Sequence, residues 1–187
     1  MSIFSYPLTY ADLERERAVT RDRLELIEGE IVVTPAPTPL HQCIAGRLYS
    51  LFNQELPEQV SFAPIDVQLA ETTIGQPDIV VVLSEIEANV RASRIECAPS
   101  IVAEVISPSA NARDTVTKRS LYARHAVPDY LFVDPVARLV MIRSGPENAR
   151  YQVEQTSEDV AVSATIGGLA ADLAELFARV PGQLERS

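Results

Sequence analysis

The sequence predicts an α/β protein, a mixed β-sheet flanked by helices, and three observations carry that reading. The runs Ile79-Val80-Val81-Val82-Leu83 and Ile101-Val102-Ala103-Glu104-Val105-Ile106 are apolar at nearly every position, as in strands buried on both faces. Leu40, Ile44, Leu48, Leu51, Phe52 and Leu56 recur at helical spacing. The stretches 130–134 and 139–143 read as a strand pair around Pro135. Helices and strands thus alternate along a chain whose 187 residues suit a single domain, 1–187. Within it, 1–38 is an N-terminal helix and hairpin, 39–143 the core, and 144–187 a C-terminal strand and helix.

The elements follow in order. Thr9-Tyr10-Ala11-Asp12 has capping-box form and opens a short helix to about residue 19. Residues 24–34 read as a β-hairpin turning at Glu28-Gly29, ended by Pro35-Ala36-Pro37. Thr38-Pro39 is an N-cap followed by proline at the first helical position, so a helix spans 39–56. Residues 60–69 read as one strand, with Asp66 and Gln68 on the face opposite Ile65, Val67 and Leu69. The two apolar runs are the next strands, joined by a polar connector over 84–99. Ser107-Pro108-Ser109 is a break, and a helix follows over 114–125. After the strand pair, 151–155 adds another strand. An amphipathic helix over 170–180 closes the chain after Gly167-Gly168.

Composition excludes several classes of function. No run approaches the ~18 apolar residues of a membrane span. The first residues show neither a basic region nor an apolar stretch, so no signal peptide is expected, and the protein is expected to be soluble and cytoplasmic. Cys43 and Cys97 are too few for a disulfide framework and are expected to be reduced, buried and inert. His41 and His125 are the only histidines, which excludes a zinc site of clustered Cys and His. A net charge of −10 argues against a general nucleic-acid coat protein. The charge is uneven: residues 1–90 carry 5 basic and 14 acidic side chains, residues 91–143 carry 8 and 5, and residues 144–187 carry 3 and 7. Only the middle segment has the sign to face phosphates. Lys118 is the sole lysine beside 15 arginines, which suggests a task for a compact ammonium that a guanidinium does not perform.

Glu104 interrupts an apolar strand, where an unpaired carboxylate is costly, and Asp78 follows Pro77 at the mouth of the other apolar strand. If the strands are neighbours, both carboxylates converge at one sheet edge and suit a hard cation such as Mg²⁺. Such an ion activates water and offsets charge on a phosphoryl group. Asp114, Lys118 and Tyr122 lie at i, i+4 and i+8 on one face of the following helix, from which Lys118 could reach back over the sheet. Each has a plainer reading: a strand-start cap for Asp78, a buried ion pair for Glu104, a surface pair with Asp114 for Lys118. His41 in a first helical turn reads most simply as structural, and Glu25 in the hairpin as an exposed strand residue.

Six segments, in order, resemble a known family. Glu25-Leu26-Ile27-Glu28-Gly29-Glu30 is similar to an ELIDGE hairpin, and Pro35-Ala36-Pro37 with His41 to a PAPS..H segment. Ala103-Glu104-Val105-Ile106-Ser107-Pro108-Ser109 is similar to VEVLSPST, and Asp114, Lys118 and Tyr122 to a D...K...Y helix. Val127-Pro128-Asp129-Tyr130 with Val133-Asp134-Pro135 is similar to GVPEYWIVDP, and Gly168-Leu169 with 173–177 to GL..DL.ELF. The chain resembles the Uma-type putative restriction endonuclease family of the PD-(D/E)xK nuclease superfamily. The resemblance implies a restriction-endonuclease-like core and metal-dependent phosphodiester cleavage, with Asp78 and Glu104 as ligands of Mg²⁺ or Mn²⁺. The superfamily lysine two residues after the second acid is Ile106 here, and Lys118 would take its place. Ala126 stands where the family has Gly, and Leu131 where it has Trp, differences expected to affect packing only.

The expected function is a Mg²⁺-dependent DNA endonuclease in which Lys118 aids the attacking water. Glu25, His41 and Tyr122 are accessory candidates. Arg113, Arg119 and Arg124 are candidate phosphate contacts. A homodimer is expected on general grounds. The alternatives are a catalytically inactive nuclease-like binding or dimerisation module, and a metal-dependent hydrolase of another phosphoester.

Overall fold

The computed structural model describes residues 6–84, 89–106, 112–157, 160–162 and 170–178. Helix α1 spans Tyr10–Arg17, and its capping box forms as the sequence predicts, with Thr9 N–H donating to Asp12 Oδ2 at 2.8 Å. Strands β1 (Arg23–Ile27) and β2 (Glu30–Thr34) make the hairpin. Glu28 and Gly29 both take positive φ, 52° and 85°, as a two-residue hairpin turn requires. Helix α2 (Pro39–Glu55) begins where Thr38 Oγ1 accepts from the His41 amide at 3.2 Å.

The single strand expected over 60–69 is two strands, β3 (Val60–Phe62) and β4 (Asp66–Ala70). Pro64, joined to Ala63 by a cis peptide, has no N–H for a ladder and divides them. Strand β5 (Thr73–Gly75) was not anticipated. Strand β6 is Ile79–Val81, and β7 (Arg94–Ile95) crosses the connector that reads as merely polar. Strand β8 (Ile101–Val105) precedes helix α3 (Ala112–Arg124), which leads to β9 (Asp129–Asp134), β10 (Leu139–Glu147) and β11 (Arg150–Ser157). Strands β12 (Val160–Val162) and β13 (Ala170–Asp172) pair with each other. The closing helix α4 (Leu173–Leu176) starts three residues later than expected, because 170–172 pair as a strand.

Two mixed sheets replace the one that the sequence suggests. One has the order β2-β1-β5-β4-β7, the other β11-β10-β9-β8-β6-β3. In the second, β8 and β9 run parallel, with α3 as the crossover, and every other pair is antiparallel. The face bearing Ile79, Val81, Ala103 and Val105 packs on Ile44, Leu48 and Phe52 of α2 and on Leu176 and Phe177. On the other face Val80 and Val82 pack on Val67 and Ile95 of the first sheet, and Val102 packs on Tyr122 of α3. Alternation therefore directs Asp78 and Glu104 into the seam between the two sheets and α3.

Helix α3 ends in a Schellman motif, with Val127 N–H donating to Tyr122 O and Ala126 N–H to Ala123 O. Ala126 takes φ 57°. The family's glycine at this position is thus explained by backbone conformation rather than by packing. A left-handed alanine costs roughly 1 kcal/mol. Ala126→Gly is expected to raise stability by about 1 kcal/mol, read as a shifted denaturant midpoint at unchanged slope.

Candidate active site

The site begins with the β6–β8 ladder. The register Ile79↔Ala103 sets Asp78, one residue before β6, across from Glu104 in β8. Asp78 is held on both sides: its carbonyl accepts from Ala63 N–H at 2.9 Å, and its Oδ2 accepts from Val105 N–H at 2.8 Å. The same Oδ2 lies 2.9 Å from His41 Nε2. The start of α2, set by Thr38 and Pro39, places that imidazole.

Glu104 Oε1 accepts from Tyr122 OH at 2.7 Å and from Lys118 Nζ at 3.0 Å. The i,i+4 spacing on α3 brings both donors to one oxygen. Lys118 Nζ is also 3.6 Å from Glu25 Oε2. Glu25 is only 3% exposed, which corrects its reading as an exposed strand residue. The hairpin face carrying it meets the second sheet and α3, not water. Its Oε1 accepts from Gln76 N–H at 2.6 Å and its Oε2 from Thr34 Oγ1 at 3.1 Å.

Six predicted residues therefore form one cluster: Glu25, His41, Asp78, Glu104, Lys118 and Tyr122. Asp78, Glu104 and His41 are each 8% exposed and Tyr122 1%. Burial pushes the Glu104 carboxyl up to about 7, with Lys118 opposing and Asp78 and Glu25 adding to the rise. Burial, reinforced by Glu104 and Glu25, also holds the Tyr122 phenol well above its ordinary value, so it stays a hydrogen-bond donor. Among the described residues, Asp78 Oδ1 and Glu104 Oε2 accept no hydrogen bond. Also among them, no three His, Cys, Asp or Glu side chains gather to enclose a metal. A two-carboxylate site completed by water is the arrangement that fits a hard divalent cation here.

Gln76 was not legible as a site residue. Its side-chain amide donates to Asp66 Oδ1 at 2.8 Å, and Asp66 takes a forked pair of bonds from Arg17 at 2.6 and 3.0 Å. This chain of contacts anchors the backbone that feeds Glu25. Its only sequence signal is a polar residue between Gly75 and Pro77.

Among the described residues, Arg119 and Arg124, proposed as phosphate contacts, are not part of this cluster. Arg124 pairs with Glu28 at the hairpin turn, and Arg119 is exposed on α3. The side chains of Arg113 and Asp114 lie outside the described residues. Cys43 and Cys97 are free but half-buried rather than fully interior, and burial raises the Cys97 thiol. Among the described residues no helix is long and apolar enough to cross a membrane.

The family model Uma2, described as "Putative restriction endonuclease", matches residues 9–174. The chain belongs to the Uma2 family. All six clustered residues lie within the Uma2 segment. The crystal structure of a "putative nuclease belonging to DUF820" from Anabaena variabilis is similar, with a TM-score of 0.72 at 19% identity. The match covers 91% of this chain and 98% of that one, so the two share their fold over most of their length. No curated protein matches the chain. In this Uma2 chain Ile106 N–H bonds to Val133 O, and the amine nearest Glu104 among the described residues comes from α3 instead.

The raised Glu104 value has a consequence for stability. A carboxyl whose folded value, about 7, exceeds its ordinary 4.5 contributes fully below the unfolded value and loses that contribution as pH rises through about 7. In EDTA the unfolding midpoint is expected to fall between about pH 5 and about pH 8, and Glu104→Gln, with no charge to desolvate, to flatten the fall. Calorimetric midpoints of both proteins across that range check this.

Proposed function

We propose that this Uma2 protein is a divalent-metal-dependent nuclease that hydrolyses phosphodiester bonds in DNA. The observation that carries the reading is the convergence of Asp78, Glu104 and Lys118 at one buried strand pair, with one oxygen of each carboxylate left unbonded among the described residues.

Asp78 and Glu104 would hold Mg²⁺ or Mn²⁺ through those oxygens. When bound, the ion supplies a more acidic water and offsets charge on the phosphoryl oxygens. The protein's own groups do the positioning. His41 and the Val105 amide fix Asp78 through Oδ2. Tyr122 fixes Glu104 through Oε1, which sets the direction of the remaining oxygen. Lys118, between Glu104 and Glu25, holds an ammonium at the site, where it orients the attacking water and stabilises developing negative charge. Glu25 keeps that ammonium in place. In this reading Asp78, Glu104 and Lys118 are the catalytic residues, and Glu25, His41 and Tyr122 are positioning residues.

The test is cleavage of labelled DNA by the purified protein with Mg²⁺ or Mn²⁺. Asp78→Asn, Glu104→Gln and Lys118→Ala are each expected to lower kcat by roughly 10²-fold or more. Undiminished cleavage by the two carboxylate variants would overturn the reading. A wild type that cleaves no DNA with either ion would favour the inactive binding module, and turnover of nucleotides alone would favour the other phosphoesterase.

A further inference from the structure

A cavity of about 270 Å³ opens beside the cluster, and the mechanism above does not use it. Its wall includes Asp78, His41, Arg23, Phe62 and Pro64. The volume is just under the ~300–1,000 Å³ of ordinary ligand pockets, so it admits one small unit. Phe62 and Pro64 also line a second depression of about 520 Å³ that runs on to Arg91 and Arg94. The two hollows thus share Phe62 and Pro64 in their walls.

Two features define the occupant. Arg23 Nε is buried and has no hydrogen-bond partner among the described residues. That nitrogen is closed to solvent, but Arg23 itself lines the cavity, and a cation in a cavity wall favours an anionic occupant. Phe62 is 53% exposed, and its ring centroid lies 5.1 Å from that of Tyr49. Tyr49 packs on the ring from α2, and Phe62 presents an apolar surface to the cavity. A unit with an anionic group for Arg23 and a flat face for Phe62 is a nucleotide. Its base must be unpaired, because a base held in a duplex cannot enter a recess of this size. The net charge of −10 points the same way, since phosphate neutralisation alone would give this protein little affinity for a polyanion.

We infer that this cavity holds the unpaired nucleotide adjoining the scissile phosphate, with Arg23 on its phosphate and Phe62 stacked on its base, and that the substrate is single-stranded or locally melted DNA. The inference rests on the nuclease reading for the position of the scissile bond. Arg23 and Phe62 are thus specificity-determining residues, outside the group that acts on the reacting atoms.

The experiment separates binding from cleavage. Fluorescence anisotropy in EDTA compares a short labelled single strand with the same sequence as duplex, for wild type, Phe62→Ala, Arg23→Gln and Arg23→Lys. Wild type is expected to prefer the single strand. Phe62→Ala should lose roughly 5- to 150-fold of that affinity, the range for one base–aromatic stack, with duplex binding unchanged. Arg23→Gln should weaken single-strand binding and Arg23→Lys restore part of it. Unfolding midpoints confirm that each variant folds. Equal binding of single strand and duplex by wild type, or single-strand binding unmoved in both Phe62→Ala and Arg23→Gln, overturns the cavity inference. Cleavage with Mn²⁺ then distinguishes the two readings. Equal cleavage of duplex and single strand, unaffected by Phe62→Ala, overturns the cavity inference and leaves the nuclease. Selective loss of single-strand binding in the variants, beside a wild type that binds but cleaves nothing, overturns the nuclease and leaves a strand-binding cavity.

Discussion

The pairing of β6 with β8 is the constraint on which the rest depends. Its register sets Asp78 across from Glu104 in a place where water is largely excluded, and Glu25 arrives from the other sheet. Three carboxylates in one desolvated seam repel one another and lose their hydration. The surroundings answer this group by group. Asp78 has an amide and an imidazole, Glu104 has a phenol and an ammonium, and Glu25 has an amide, a hydroxyl and the same ammonium. One ammonium shared by two carboxylates leaves the seam short of positive charge. Burial, with the Asp78 and Glu25 charges adding to it, raises the Glu104 carboxyl despite Lys118.

The supporting elements are legible as devices for holding these donors. Thr38 and Pro39 start α2 where His41 meets Asp78. The Schellman end of α3 seats Val127 beside Tyr122 in a small apolar cluster with Val102 and Tyr130, which keeps the phenol on Glu104. Behind Glu25, the contacts from Arg17 through Asp66 to Gln76 tie α1 and β4 to the strand end that donates its amide. That pair is forked and charge-assisted, so it resists displacement better than a single bond.

The sequence exposed much of this. Two apolar strands each carrying one acid, and a lone lysine on the next helix, were enough to bring Asp78, Glu104 and Lys118 together. Capping signals located α1 and α2. What escaped depends on tertiary context. Glu25 alternates as any solvent-facing strand residue does, and only the docking of the second sheet buries it. The division at Pro64 is a local break inside a run of strand-like residues, and β5 and β7 are too short to show a period. Gln76 acts partly through its backbone, which no side chain advertises. The substituted glycine at 126 looked like a packing detail because sequence alone does not give φ.

The superfamily's lysine position is Ile106 here, and the ammonium beside Glu104 comes from Lys118 on α3. In the proposed mechanism the charge next to Glu104 matters, not the strand that brings it. The account stands or falls on whether the two opposed carboxylates take up a hard cation. Isothermal titration calorimetry of Mn²⁺ into the purified wild type, Asp78→Ala and Glu104→Ala tests this directly. The account predicts saturable binding by wild type and its loss in both variants. Absence of binding by wild type, or equal binding by all three proteins, would contradict it and leave Glu104 as a structural buried acid.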